Sequence, residues 1–523
     1  MALIQMTEPI PSAVLNRSAH PKPQKASTPM AYQLFEINSP DDLDQIAAAI
    51  DDTYEPRFVI EQLRAGLDPR CKRILLESYY NDKDYRSTYY HYYAKKGFRY
   101  GITCVRLHFF DDRVSLLSGR ELRFAIDQSV DRSGPSSTYF GYMVLRPTRE
   151  NTIGRTVISP TAIKGFHGSI IEADHKVHVL GHKLTVKGFP YMSQHMDISV
   201  CAHAACWGIL RHYSERFAKY AEFLTFDITR MAHEFDPGGL LPSAGLHVGN
   251  AERVFAAAGT YPLLVVKPND EDPSDSVDPR MFYRQLLAYV ESGFPLFAEI
   301  AKLAHAVSIV GHTGWNGAAP TPAPCHFTYD LLAGLVSVDD NYLPYKAVPA
   351  DASPAPYRCE DITAFIVPLP DKIYYPAENV DGLAVTLALE EHLGFNHDAL
   401  GEPLIRYFLT TAAHLRLVVH KHRSQLDPVL AGIVMDLALP QFVWLIEIAS
   451  MEQWKRGTVE TRVIVDATAS PAEQLPIFLM HNSRRAYYWD RGGDGSQHYV
   501  ELQSPAGAPL SRIDGNDGNL ETH

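Results

Sequence analysis

The chain has 523 residues, which at about 150 residues per domain predicts roughly three domains. Apolar residues make up 46% and charged residues 21%, a composition that excludes a mainly disordered protein. The 48 basic and 61 acidic side chains give a net charge of −13, which disfavours bulk binding to nucleic acid and to anionic membranes. No run approaches the roughly 20 apolar residues of a membrane span. The six cysteines are scattered, so we expect reduced thiols and a cytoplasmic protein without membrane association.

The first 150 residues read as a flexible arm followed by a folded region. Residues 1–30 contain five prolines and lack the unbroken apolar core of a secretory signal, so we interpret them as the arm. Residues 31–150 are predicted to form an N-terminal α/β region, with a helical segment over Ser39–Leu67 that Pro56 divides in two and a strand over Ser137–Leu145. The tyrosine-rich stretch Glu77–Tyr100 favours an internal packing face over a stacking surface for single-stranded nucleic acid.

The rest of the chain divides into a middle region, 151–370, and a C-terminal α/β region, 371–523. Predicted strands run into Gly188–Gln194 without a linker, so the boundary at 150 is set by length alone. An acidic surface loop, Asp270–Asp278, is expected near the cleft, where it would favour basic substrates. In the C-terminal region we predict helices at Val385–His392 and Pro403–Leu417, and strands at Phe442–Ile448 and Glu460–Val465.

Cys201 is the first candidate for chemistry. From Ala202 onward, apolar residues recur every three or four positions, which predicts a helix that begins at or just before Cys201, with Asp197 or Ser199 as its cap. The positive end of a helix dipole and its unpaired N–H groups favour a thiolate. Those N–H groups, together with the side-chain amide of Gln194, are suited to hold an oxyanion during acyl transfer.

A base and an orienting acid follow Cys201 in the chain. His305 begins a predicted buried strand that runs to His312, and a second strand, Leu335–Val338, ends in Asp339 and Asp340. A cysteine nucleophile needs such a base, and the base needs an acceptor on its other ring nitrogen. Strand alternation puts Asp339 on the face of Ser337, which favours Asp339 over Asp340 as the orienting acid.

Each of these residues also has an ordinary interpretation. A cysteine taken alone is most often a buried thiol, and a lone histidine is most often a packed side chain. A zinc site formed by Cys201, His203 and Cys206 is disfavoured, because helical spacing turns Cys201 away from the other two and no second ligand pair follows. Two acids in predicted C-terminal strands, Glu447 and Asp466, could form a catalytic carboxylate pair. The sequence favours the ordinary interpretation, in which they accept hydrogen bonds from backbone N–H groups.

Three motifs, in their order along the chain, resemble the papain-like cysteine peptidases. They are most similar to the bacterial peptidases related to the double-glycine leader peptidases, and they cover about Val177–Leu369. The motifs read Pro190-Tyr-Met-Ser-Gln194, Cys201-Ala-His-Ala-Ala205 and His305-Ala-Val-Ser-Ile-Val-Gly311.

The resemblance implies an α/β (α+β) fold with a papain-like core at 151–370. It also implies hydrolysis of peptide or isopeptide bonds by Cys201, His305 and Asp339, with Gln194 at the oxyanion. No cofactor and no metal are expected, and the implied partners are a protein or peptide substrate and a regulatory protein. Two alternatives stay open: a transglutaminase-like acyltransferase, in which an amine replaces water, and a non-catalytic binding protein with the same fold.

Overall fold

The computed structural model describes residues 31–114, 138–194, 201–232, 246–268, 278–316, 320–424, 426–491, 495–503, 510–513 and 520–523. Three of the sequence predictions lie outside these ranges: the arm at 1–30, the caps Asp197 and Ser199, and nearly all of the acidic loop Asp270–Asp278. The described chain is a mixture of helix and sheet, of the α+β type. In these ranges, no helix is both long and apolar enough to cross a membrane.

The first sheet is antiparallel and has five strands in chain order. Its elements are β1 (Tyr32–Glu36), α1 (Asp44–Ala49), α2 (Pro56–Gly66), β2 (Arg73–Tyr80), α3 (Lys83–His91), β3 (Cys104–Phe110), β4 (Tyr139–Leu145) and β5 (Ile153–Ile158). Because β5 pairs with β4, this sheet includes residues on both sides of position 150. Within the tyrosine-rich stretch, Tyr85 and Tyr93 are buried in the core, whereas Tyr79 and Tyr90 are exposed.

The second sheet holds the candidate site. The elements of this part are β6 (Ser169–Ile171), β7 (Ala173–Val179), β8 (His182–Gly188), α4 (Cys201–Arg216), α5 (Thr225–Ala232), α6 (Val248–Ala257), β9 (Tyr261–Val266), α7 (Pro279–Glu291), β10 (Leu296–Ile300), β11 (His305–His312), β12 (His326–Phe327), β13 (Gly334–Val338), β14 (Lys346–Pro349) and β15 (Ala364–Leu369). The strand order is β14-β13-β11-β10-β15-β9, and β6 pairs with one end of β11. β7 and β8 form a separate hairpin.

The third sheet has seven strands, in the order β12-β16-β17-β19-β20-β21-β22. The elements of the C-terminal part are α8 (Ala377–Leu389), β16 (Leu404–Thr411), α9 (Ala412–Lys421), α10 (Pro428–Asp436), β17 (Phe442–Ala449), α11 (Met451–Lys455), β18 (Thr458–Val459), β19 (Thr461–Asp466), β20 (Ile477–His481), β21 (Arg485–Trp489), β22 (Gln497–Glu501), β23 (Leu510–Ser511) and β24 (Leu520–Thr522). β12 and β24 cross between regions: β12 joins this third sheet, and β24 pairs with β6 of the second.

The prediction of a helix over Pro403–Leu417 is wrong in its first half. Leu404–Thr411 is the strand β16, and only Ala412 onward is helical. The strand is buried on both faces and pairs with β17 along its whole length, so its sequence lacks the alternation of a half-exposed strand. Ile405, Tyr407 and Phe408 are residues typical of strands. The predicted strands near β17 and β19 are confirmed.

Helix α4 lies against both the second sheet and the N-terminal region. On the sheet side, Ser308 Oγ of β11 donates a hydrogen bond to the carbonyl of Ala205 at 3.3 Å. Gly208 lies close to the segment after β8, since a Cβ there would stand 3.1 Å from the carbonyl oxygen of Pro190. On the other side, Trp207 Nε1 donates to Asp84 Oδ1 of α3 at 3.0 Å. The helix that carries Cys201 is thus held from two directions.

Candidate active site

Cys201 is the first residue of α4, and its side chain is half-buried. Its position gives the sulfur access to the positive end of the helix dipole. Among the other cysteines, only Cys325 is also half-buried. Burial raises the pKa of the five remaining thiols, which are Cys71, Cys104, Cys206, Cys325 and Cys359.

His305 is the first residue of β11, and its ring lies between a thiol and a carboxylate. Its Nε2 is 3.1 Å from Asp339 Oδ1, and its ring also interacts with the Cys201 thiol. Burial lowers the pKa of His305, but the hydrogen bonds to Asp339 and Cys201 and the charges of both outweigh burial and raise the pKa to about 10. When Nε2–H donates to Asp339, Nδ1 is the nitrogen left to exchange a proton with the thiol.

Asp339 follows β13 directly and is fully buried. Its Oδ1 also accepts from the backbone N–H of Asn341 at 3.0 Å and from Asn341 Nδ2 at 3.1 Å, and its Oδ2 accepts from the Tyr357 hydroxyl at 2.8 Å. Burial raises the pKa of Asp339, but His305, Asn341 and Tyr357 together lower it below its usual value. Asp339 is therefore held as a carboxylate aimed at the imidazole.

Asp340 lies beside the same imidazole, in different surroundings. Its Oδ1 is 3.9 Å from His305 Nε2, and its side chain is only 2% exposed. Among the described residues, neither carboxylate oxygen of Asp340 has a partner in normal hydrogen-bond geometry. Burial raises the pKa of Asp340 to about 6, against the opposing effect of the His305 charge and of the backbone N–H groups of Asp340 and Gln194.

Gln194 acts on the site through its backbone N–H, which lowers the pKa of Asp340. Its main-chain carbonyl and that of Ser193 accept hydrogen bonds from Arg146 Nη2 at 3.4 and 3.1 Å. In the part of the chain that the structure describes, the side-chain amide of Gln194 makes no hydrogen bond. The oxyanion role of Gln194 therefore stays a prediction.

Three of these side chains also lie close enough to share a metal ion. One ligand atom each of His305, Asp339 and Asp340 falls within 4.8 Å of the other two. The donors from His305, Asn341 and Tyr357 already occupy both oxygens of Asp339, and a metal would have to displace them. We therefore interpret the cluster as a base with its orienting acid. Cys201, His203 and Cys206 do not form a ligand cluster in the described ranges.

Three residues that support the site were not predicted to belong to it. Tyr357 lies in a proline-containing loop, and its hydroxyl bridges Asp339 and Ser337 at 2.8 and 3.0 Å. No local pattern indicates this contact, because Tyr357 is 18 residues from Asp339 in the chain. Arg146, likewise buried, reaches across the fold to Ser193 and Gln194. Asn341 could have been found, since an Asp two residues before a turn N–H commonly accepts from it.

Comparison with known proteins identifies no homologue. No family model matches the chain, and no curated protein and no solved structure matches it at a significant level. The functional argument rests on the residues themselves.

Proposed function

We propose that this chain is a cysteine peptidase that hydrolyses peptide or isopeptide bonds. One observation carries the proposal: the ring of His305 makes a hydrogen bond with Asp339, at the end of a strand, and interacts with Cys201, at the start of a helix. A nucleophile, a base and an orienting acid in one hydrogen-bonded series are the parts that acyl transfer through a thiol requires.

The reaction would start with transfer of the Cys201 proton to His305. The thiolate then attacks the substrate carbonyl, and N–H groups at the start of α4, with Gln194, would stabilise the oxyanion that forms. His305 gives its proton to the leaving amine as the carbon–nitrogen bond breaks, which leaves a thioester on Cys201. Water, deprotonated by His305, attacks the thioester and releases the acid, and the thiol is restored. Asp339 keeps the imidazole in one orientation throughout.

The arrangement of α4 on the second sheet is consistent with a papain-like core. Helix α4 carries the nucleophile and packs on β11, the strand that carries the base, while β13, next to β11, leads into the acid. We accordingly propose a protein or peptide as substrate, a regulatory protein as a further partner, and the cytoplasm as the location. The acyltransferase alternative uses the same residues, with an amine in place of the second water.

Two measurements test the proposal. Cys201 should react with iodoacetamide faster than Cys325, the other half-buried cysteine, when the labelled peptides are quantified by mass spectrometry. In cells, new protein N-termini should appear with wild type and with Cys325→Ala, and be lost with Cys201→Ala. New isopeptide-linked amines in place of new N-termini would favour the acyltransferase. If the two cysteines are alkylated equally fast and Cys201→Ala changes nothing in the cells, the peptidase proposal is wrong and the non-catalytic binding protein is favoured.

A further inference from the structure

The carboxylate of Asp340 is an ionisable group beside His305 to which the proposed mechanism gives no role. It is nearly fully buried, it has no hydrogen bond of normal geometry in the described residues, and it stands 3.9 Å from His305 Nε2. A buried carboxylate without a hydrogen bond is costly, so one that persists needs a compensating charge. Within the described chain, the ion pairs of Asp340 include only one cationic partner, the protonated imidazole of His305.

The surroundings of Asp340 leave little solvent to screen this charge. Asp340 and Cys201 line the same cavity of about 10 Å³, together with Tyr191, Met192 and Ser308. A cavity of that size holds about one water molecule. Besides Asp340, the titratable residues that line this cavity are Cys201 of α4 and Tyr191 of the segment before α4. The charges of His305 on β11 and of Asp339 on the same turn also act on Asp340, and Asp339 in turn acts on Lys346 of β14.

The two acids differ in a way that suggests different tasks. Asp339 accepts hydrogen bonds from Asn341 and Tyr357 that hold its carboxylate in place, and so it orients the imidazole of His305. In the described residues neither oxygen of Asp340 has a hydrogen bond of normal geometry, so the effect of Asp340 on His305, 3.9 Å away, is that of its charge. We propose that Asp340 is a second acidic residue of the site, a positioning residue whose charge stabilises the imidazolium form of His305. The thiolate–imidazolium pair then persists to higher pH than Asp339 alone would allow. This inference rests on the proposed function.

The test is the pH profile of Cys201 alkylation by iodoacetamide, read peptide by peptide. The rate rises a first time when the thiolate forms and a second time when His305 loses its proton, because the thiolate is then freed from the attracting charge. In wild type the second midpoint is expected near pH 10. In Asp340→Asn and Asp340→Ser it should fall by about 1–3 pH units, because a charge about 4 Å away is worth about 1 kcal/mol when screened as in water and about 4 kcal/mol at the lower dielectric constant of a protein site.

Matched variants separate charge from structure. Asp340→Glu keeps the charge and should retain the wild-type midpoint, and Asp351→Asn removes an exposed acid and should change nothing. Folded Asp340→Asn and Asp340→Ser proteins with the wild-type midpoint would overturn the role of Asp340 and leave the proposed peptidase intact. If neither uncharged variant folds, the test is the pH dependence of the NMR chemical shifts of the His305 ring in wild type. These shifts should change near pH 6, where Asp340 ionises. Chemical shifts that stay constant around pH 6 would overturn the inference. Unselective alkylation of wild-type Cys201 would instead reject the proposed function, and this inference with it.

Discussion

Trp207 Nε1 donates a hydrogen bond to Asp84 Oδ1 at 3.0 Å, across 123 positions of the chain. Arg211, one turn further along α4, contacts both oxygens of the same carboxylate at 3.3 Å. All three side chains are buried. The N-terminal region is therefore attached to the helix that carries Cys201, on the side opposite the sheet that carries His305.

Replacement of Asp84 should destabilise the protein strongly. Asp84→Ala leaves the indole N–H of Trp207 and the guanidinium of Arg211 buried without this acceptor, and breaking a buried pair in this way costs about 3–5 kcal/mol. Urea unfolding followed by circular dichroism measures the loss. Asp44→Ala is the control, since it removes a mostly exposed ion pair with Arg64 that is worth about 1 kcal/mol or less. Equal effects of the two substitutions would contradict the anchoring role.

Tyr357 should affect the site through Asp339. Tyr357→Phe removes the 2.8 Å hydrogen bond to Oδ2, which raises the pKa of Asp339 and loosens its hold on His305. Because one hydrogen bond to a charged group is worth about 1.5–3 kcal/mol, the alkylation rate of Cys201 near pH 7 should fall about tenfold. Tyr342→Phe, on the same turn, serves as the control and should keep the wild-type rate. A variant at Tyr357 that alkylates as fast as wild type would show that this bond is dispensable.

His305 should make the stability of the protein depend on pH. Its pKa is raised to about 10 in the folded chain, above the usual value near 6.5, so folding is favoured whenever the folded state binds the extra proton. This contribution is complete below about pH 6.5 and disappears as pH rises through about 10. The free energy of unfolding lost in His305→Gln should therefore be larger at pH 6 than at pH 10.5, by about 4 kcal/mol. A loss independent of pH would mean that the ring acts by packing alone.

Gly208 should tolerate no larger side chain. In Gly208→Ala the new Cβ meets the Pro190 carbonyl oxygen at 3.1 Å and the Phe189 ring at 3.4 Å, so these neighbours or α4 must move by a few tenths of an ångström. We expect a cost of about 1–3 kcal/mol, which outweighs the gain of about 1 kcal/mol from alanine in a helix. Gly382→Ala in α8 is the matched control, because nothing lies within 4 Å of its Cβ and alanine favours a helix by about 1 kcal/mol. The two substitutions should thus change the melting temperature in opposite directions. A stabilised Gly208→Ala protein would refute the close approach.

Local pattern was enough to locate several elements of the fold. The periodicity after Ala202 gives the helix α4, the apolar run from His305 to His312 gives β11, and the alternation around Ser337 puts Ser337 and Asp339 on one face, where Tyr357 contacts both. These elements can be predicted because each depends on residues that lie a few positions apart in the chain. The strand β16 was missed for the converse reason, since burial on both faces removes the alternation that identifies a strand.

The sequence by itself determined the chemical types and their order: a thiol at a helix start, a histidine at a strand start and two acids at a strand end. Only the tertiary structure decided how the two acids differ, because Asn341 and Tyr357 donate to Asp339 and leave Asp340 buried with His305 as its cationic neighbour. It also decided how the regions outside the site contribute to it. Asp84 on α3 binds the helix that carries Cys201, and β24 pairs with β6 in the sheet that carries His305. Apart from the local contact of Asn341 with Asp339, these contacts join residues that lie far apart in the chain, where a local sequence pattern carries no signal.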